Sequence, residues 1–192
     1  MCIAAWQLRS LPVIAGLRQK RAAAYAFSVI TIRPAGEADA PVLRQIAMAA
    51  YQHYVPRIGR APAPMAADYP AAVRRGLAWV AAEDGQVAGF IILIAQPGYL
   101  LLENVAVLPA AQGRGIGARL LALAEEHARS LGLPEIRLYT NEAMTENLAY
   151  YPRHGYIQTH RGCQDGFRRG LLPQAAQCLA THSRQKNAFI RS

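Results

Sequence analysis

The chain has 192 residues, 53% of them hydrophobic and 17% charged, enough for one domain with a substantial core and too few for two comfortable ones. That composition excludes a disordered chain, and no apolar run reaches the roughly 18 residues of a membrane span, so no membrane partner is expected. The net charge of +9 sits at the ends: Arg9, Arg18, Lys20 and Arg21 precede residue 30, and Arg168, Arg169, Arg184, Lys186 and Arg191 follow residue 167, with no acid in either segment. The span between is formally neutral, so the basic ends read as solvated tails and not as a nucleic-acid surface.

Cys2, Cys163 and Cys178 form no C-x-x-C pair and no disulfide framework, and none stands near a histidine at metal-ligand spacing. No metal is expected, and a reducing cytoplasm fits.

Residues 1–28 are rich in arginine and alanine, which superficially matches an organellar transit peptide. They read as a basic, disordered extension or a start placed too far upstream. Residues 29–172 then form one domain, and 173–192 a basic tail without clear period. Val29–Arg33 is a β-branched strand closed by Pro34. Asp39 is placed to cap a helix with Pro41 in its first turn, followed by Val42, Leu43, Ile46 and Ala50 at helical spacing. Tyr51–Asp68 is interrupted by prolines and reads as a loop, and a second helix is expected over Ala66–Arg75 around Pro70. Leu77–Glu83 and Gln86–Gln96 are strands joined by Asp84-Gly85, a pair that tolerates the positive φ of a two-residue hairpin. Pro97-Gly98 turns the chain into a strand over Tyr99–Val107.

Ile116–Leu131 carries Ile116, Leu120, Leu123, Ala124, His127 and Leu131 as one apolar stripe, an amphipathic helix stopped by Gly132 and Pro134. A strand at Ile136–Thr140, a helix at Met144–His154 and a strand at Tyr156–His160 complete the orderly part. A last strand starts at Phe167, but Gly170 and Pro173 are expected to cut it short. The order β-α-α-β-β-β-α-β-α-β predicts an α/β (α+β) fold, a mixed sheet with helices on its faces.

Between the Tyr99–Val107 strand and the next helix lies Gln112-Gly113-Arg114-Gly115-Ile116-Gly117. Glycines there let successive backbone N–H groups converge, the helix terminus adds about half a positive charge, and Arg114 adds a full one; together they suit a diphosphate. A Walker loop is excluded because Gly117-Ala118-Arg119 lacks the Lys-Ser/Thr ending. Gly113-x-Gly115-x-x-Ala118 fits a dinucleotide fingerprint, yet five residues separate it from its strand, and the acid at the right distance, Glu135, begins the next strand where it should end it. A glycine turn with no ligand is the third reading.

The wider pattern Val105-Ala106-Val107-x-Pro109-x-x-Gln112-x-x-Gly115-x-Gly117 resembles the signature of GNAT acyltransferases, and Asn147-x-x-x-Tyr151-x-x-x-Gly155-Tyr156 is similar to that family's second motif. The resemblance spans roughly residues 29–170 and implies the GNAT acyl-CoA N-acyltransferase fold. It implies acetyl-CoA as cosubstrate. The splayed strand backbone at Val105, Ala106 and Val107 would bind the pantetheine, and Gln112, Gly113, Arg114, Gly115, Ile116, Gly117 and Ala118 the diphosphate. Asn147 and Tyr151 would complete the cofactor contacts, Met144 standing where the family often has an asparagine. The acceptor implied is a primary amine of a small molecule or peptide, and a homodimer is compatible with the family.

Direct attack in a ternary complex needs a neutral amine and a proton for the departing thiolate, but no nucleophilic cysteine. Tyr151 is the expected general acid and Glu103 the expected base. Alternation puts Glu103 on one face with Leu101 and Val105, apolar company that favours base duty; a salt-bridged or exposed edge residue is the competing reading. His53 and His127 are weaker candidates, the latter as a core histidine. Acceptor recognition falls to Tyr51–Tyr69, with Tyr51 and Tyr54 shaping a slot and Arg57, or Arg60, gripping an acceptor carboxylate. A non-catalytic acyl-CoA-binding module is the alternative, motivated by the interrupted last strand.

Overall fold

The computed structural model describes residues 29–164 and 167–175. Seven strands form one sheet: β1 (Ile30–Pro34), β2 (Ala78–Glu83), β3 (Gln86–Gln96), β4 (Tyr99–Val107), β5 (Glu135–Asn141), β6 (His160–Gln164) and β7 (Phe167–Ala175), in spatial order β1-β2-β3-β4-β5-β7-β6. Every neighbouring pair is antiparallel except β4 and β5, which are parallel. The helices are α1 (Ala40–Tyr51), α2 (Val55–Ile58), α3 (Tyr69–Arg74), α4 (Ile116–Ser130) and α5 (Thr145–Tyr150). No helix among the described residues is long and apolar enough to cross a membrane.

Two apolar layers sandwich the sheet. On one face Leu43, Ile46, Ala47 and Ala50 of α1, with Tyr69 and Val73 of α3, pack on Val80, Phe90 and Ile92. On the other, Ile116, Leu120, Leu121, Ala124 and Ala128 of α4 pack on Ile91, Leu93, Leu100, Leu102, Ile136 and Leu138. The buried stripe of α4 therefore runs through Leu121 and Ala128, while Leu131 is exposed and His127 lies half-buried with its ring 4.8 Å from that of Trp79.

The hairpin dipeptide behaves as its chemistry dictates: Asp84 and Gly85 have φ of 50° and 83°. Asp39 does not cap α1 through its side chain. Its carboxylate turns back to accept from Gly36 N–H at 2.7 Å and from Nη1 and Nη2 of Arg33 at 2.6 and 3.0 Å. Asp68 is the true side-chain cap, accepting from Ala71 N–H at 2.9 Å and placing Pro70 in the first turn of α3. The stretch expected as loop contains α2, ended by Gly59 at φ 80°.

Two expectations at the end of the chain are corrected. Residues 156–159 are irregular and β6 starts only at His160, because Tyr156 is drawn into the core at 1% exposure beside Tyr151. The last strand is not cut short: β7 passes through Gly170 and Pro173 and pairs along all of β5, from Asn141↔Arg169 to Glu135↔Ala175. Proline is tolerated there because β6 accompanies β7 only as far as Leu171, leaving Pro173, among the described residues, a strand neighbour on one side only. Residues 1–28 and 176–192 lie outside the described residues.

Candidate active site

The parallel pair β4–β5 holds for three positions only, ending at Leu102↔Leu138. Beyond it the strands part, so the β4 segment from Glu103 to Val107 keeps β3 on one side and opens the other toward a gap. Backbone N–H and C=O groups along an opened edge must find partners elsewhere, which makes the gap a ready site for an extended ligand.

Two cavities meet in this gap. The larger, about 530 Å³, is lined by Val105, Ala106 and Val107 of β4, by Gln112, Gly113, Gly115, Ile116, Gly117 and Ala118, and by Asn147, Tyr150 and Tyr151. The smaller, about 140 Å³, lies between β4, β5 and the α2–α3 connection. Three residues line both: Tyr51, Val105 and Tyr151.

The glycine loop forms one end of the larger cavity. Gly113 and Gly115 have φ of 78° and 83°, a region that other residues enter only under strain, so the turn depends on glycine at both positions. The first rung of the α4 ladder is Arg119 N–H to Gly115 C=O at 3.1 Å, which leaves the N–H groups of Ile116, Gly117 and Ala118 ahead of it without helical partners. All three residues line the cavity, so donors and helix dipole face the same space. A Cβ at Gly117 would stand 2.7 Å from the Tyr150 hydroxyl, so any larger residue would have to push that ring aside. Arg114 does not line the cavity; its guanidinium pairs with Glu83 at 2.8 Å and donates to Ala110 C=O at 3.1 Å.

At the junction stands Tyr151, just after α5, 7% exposed and packed edge-on against Tyr150 and Tyr156. Burial, reinforced by Tyr150 and Tyr54, pushes its phenol well above the ordinary tyrosine value, so it keeps its proton throughout the neutral range. Tyr51 faces it from α1 and is pushed up likewise, by burial first and then by Tyr151. The Tyr51 hydroxyl has one proton and two acceptors in reach, Asn104 Oδ1 at 2.8 Å and Val105 C=O at 3.0 Å. Asn104 in turn donates to the Tyr69 hydroxyl at 3.1 Å, which donates to Pro64 C=O at 2.6 Å. This buried chain ties α1, β4 and the loop around the smaller cavity into one rigid wall.

Glu103 is brought to the smaller cavity, but not by simple alternation. The register slips between Ile92↔Asn104 and Leu93↔Leu102, leaving Glu103 as an extra residue on β4. Leu100 and Leu102 therefore pack toward α4, whereas Ala106 packs toward α1, and Asn104 bonds to Tyr51 and Tyr69 on that side. The expected shared face of Leu101, Glu103 and Val105 does not exist, because the bulge reverses the parity between them. Glu103 is exposed and lines the smaller cavity.

Of the acceptor residues expected from the sequence, Tyr51 lines both cavities and Tyr54 the larger one. Burial, and then the nearby Glu146, pushes the Tyr54 phenol up to about 12. Arg57 lines neither; it pairs with Glu146 of α5 at 2.7 Å and lies over the Tyr54 ring at 5.7 Å. Tyr69 is wholly buried and Asp68 is spent as a cap. Sequence reasoning missed Asn104, a buried amide whose only signal was its polarity inside an apolar strand. Met144 also carries an unforeseen role, its sulfur accepting from Asn147 Nδ2 at 3.5 Å while Asn147 lines the larger cavity. Among the described residues no group of His, Cys, Asp and Glu is assembled to hold a metal.

Known proteins share both the fold and parts of the sequence. The PaiA N-acetyltransferase of Thermoplasma acidophilum, solved in complex with coenzyme A, superposes with a TM-score of 0.65 at 20% identity, over 77% of this chain and 99% of that one. The Escherichia coli ribosomal-protein-S18-alanine N-acetyltransferase gives 0.61 at 19% identity, over 77% and 94%. In sequence, the chain is 36% identical over 81 residues to the mycothiol acetyltransferase of Jonesia denitrificans, covering 41% of this chain and 26% of that protein. It is also 36% identical over 89 residues to the aminoalkylphosphonate N-acetyltransferase of Salmonella typhimurium, covering 42% and 56%. The match thus spans about a quarter to a half of these relatives' lengths. Residues 41–156, more than half of the chain and the whole span from α1 to Tyr156, match the Acetyltransferase (GNAT) family, and the chain belongs to it.

Proposed function

We propose that this protein is an acyl-CoA-dependent N-acyltransferase that moves an acetyl group from acetyl-CoA to a primary amine of a small molecule or peptide. The observation that carries the reading is the meeting of the two cavities at Tyr51, Val105 and Tyr151, where the parallel strands part. One cavity is the larger and has helix N–H donors at one end; the other is compact and is lined by a carboxylate residue. A donor and an acceptor can approach each other only where they join. That two relatives in sequence are named acetyltransferases agrees with this.

Coenzyme A fits the larger cavity by the chemistry of its lining. The N–H groups of Ile116, Gly117 and Ala118, opened by Gly113 and Gly115, would hold the diphosphate, with Gln112 at the same end. The open backbone edge at Val105, Ala106 and Val107 would hold the pantetheine amides, with Asn147 on the opposite wall. Arg114 would join the phosphates only by exchanging its bond to Glu83. When bound, the cosubstrate supplies an acyl thioester, an electrophile that a neutral amine attacks directly.

The chain's own part is proton handling and exclusion of water. Glu103, at the rim of the acceptor cavity, takes the ammonium proton, directly or through a water. Tyr151, protonated and nearly buried at the junction, donates toward the departing sulfur. A raised phenol is a weaker acid, but the dry surroundings also raise the basicity of a thiolate, so the two remain matched. Tyr51, held by Asn104 and Val105, keeps the opposite wall in place.

A thiol-release assay with acetyl-CoA and a panel of primary amines tests the reading. Turnover is expected, with kcat reduced about a hundredfold or more in Tyr151→Phe, while coenzyme A affinity by calorimetry stays as in wild type. Tight binding without turnover on any amine would support instead an acyl-CoA-binding module. That alternative was motivated by an interrupted last strand, and β7 runs on to Ala175.

A further inference from the structure

The compact cavity has a one-sided charge. Among the described residues Glu103 is the only charged one in its lining; the others are apolar or neutral, including Ile58, Leu102 and Leu138, with Tyr139, Thr140 and Asn141 as polar members. The arginines that the sequence offered for an acceptor carboxylate do not face it. Arg57 is engaged by Glu146, and neither Arg57 nor Arg60 contributes to the lining. The neutral polar groups are partly committed as well. Thr140 Oγ1 points to Met144 Sδ at 4.0 Å, and Asn141 Oδ1 accepts from Ala143 N–H at 2.9 Å. An anion in this space would stand beside a carboxylate with no cation among the described lining residues to answer it, a costly arrangement.

Volume narrows the occupant further. At about 140 Å³, the space is close in size to the cavity of about 150 Å³ that holds one benzene in an engineered protein. The wall is stiff, since the Tyr51–Asn104–Tyr69–Pro64 chain ties its α1 and loop sides to β4.

Resting on the N-acyltransferase reading above, we infer that the acceptor is a compact primary amine whose body next to the nitrogen is uncharged and apolar or aromatic, and that Glu103 rejects acceptors carrying a carboxylate or phosphonate there. Glu103 thus selects as well as deprotonates: it attracts the ammonium and repels an adjoining anion, both by charge.

The test uses the full chain, acetyl-CoA and matched amine pairs, phenethylamine against phenylalanine and butylamine against aminopropylphosphonate. In wild type kcat/KM is expected to fall about tenfold or more on adding the anion. In Glu103→Gln both members of a pair slow through loss of the base, but the anionic-to-neutral ratio climbs toward one, a change that a purely basic or structural role would not produce. Equal or better use of the anionic partner in wild type overturns the inference while leaving the acyltransferase reading intact, and so does a ratio unmoved by Glu103→Gln. Failure to acetylate any amine, with coenzyme A bound, overturns the acyltransferase reading and this inference with it.

Discussion

Replacing Gly117 with alanine sets two effects of similar size against each other. Gly117 is the second residue of α4 and its φ is not in the left-handed region, so the helix itself would welcome alanine by up to about 1 kcal/mol. The added Cβ, however, would lie 2.7 Å from the Tyr150 hydroxyl, with the ring carbon bearing it at 3.6 Å. Contacts of this kind settle near 3.5 Å or beyond. The ring must therefore retreat, and it is backed by His154 at 4.5 Å and Tyr151 at 5.8 Å between centroids. Overpacking of this sort costs about 1–3 kcal/mol, so Gly117→Ala in wild type should be destabilising by about 0–2 kcal/mol after the helix gain. Tyr150→Phe removes the offending oxygen and leaves an ordinary contact. In that background the same substitution should stabilise by up to about 1 kcal/mol. Urea unfolding of the four proteins gives the coupling, expected at about 1–3 kcal/mol. If Gly117→Ala has the same effect in both backgrounds to within about 0.3 kcal/mol, the steric account is wrong. Coenzyme A affinity should fall in both alanine variants, because the Cβ also enters the cavity.

Other perturbations separate the remaining contributions. Asn104→Leu should cost only about 1–2 kcal/mol by urea unfolding, because Tyr51 keeps Val105 C=O and Tyr69 keeps Pro64 C=O as acceptors; a loss above about 4 kcal/mol would contradict that accounting. The Asp39 carboxyl is held below the usual carboxylate range by its hydrogen bond from Arg33, then by Gly36 N–H. Since its folded value is depressed, its contribution is fully present above the unfolded value near 4 and is lost as pH falls through the folded one. Unfolding midpoints from pH 7 down to about 2 should accordingly drop less steeply in Asp39→Asn than in wild type. Arg57→Ala should leave the thermal midpoint nearly unchanged, since the pair is exposed. Because Arg57 and Glu146 bridge α2 and α5 beside the larger cavity, stopped-flow release of coenzyme A should quicken severalfold and lose its salt dependence.

Legibility in the sequence followed the range of the forces involved. β3 and β4 were readable to the residue because the flanking turns, Asp84-Gly85 and Pro97-Gly98, are decided by local φ preferences. The glycine loop was readable for the same reason, as its positive φ values at Gly113 and Gly115 leave a composition that few other purposes need. The end of the chain was not. Whether Pro173 breaks a strand depends on where β6 stops beside it, and whether Tyr156 begins a strand depends on a core pocket beside Tyr151. Neither fact is local. Arg114 and Arg57 misled for a related reason: their charge is visible in the sequence, but their partners Glu83 and Glu146 stand 31 and 89 residues away.

The deepest error came from period two itself. Alternation along β4 is a sound rule until one residue is inserted, and the insertion at Glu103 has no sequence mark. Its consequence is what the site needs. Without the bulge, Glu103 would share a face with Val105 and Asn104 would share one with Leu102, in the layer against α4. With it, Asn104 turns toward α1 and α3, where Tyr51 and Tyr69 can bond it, and Glu103 is left at the rim of the cavity those tyrosines help to wall. The same inserted residue sits one position beyond the last β4–β5 pair, so the slip in one ladder and the end of the other fall together. A strand that twists more sharply at a bulge cannot stay parallel to its neighbour, and the gap that opens is where both cavities lie. Placement of the carboxylate and opening of the cleft are on this argument one event, so changes that restore regular pairing at Glu103 should close the cleft as they bury the acid.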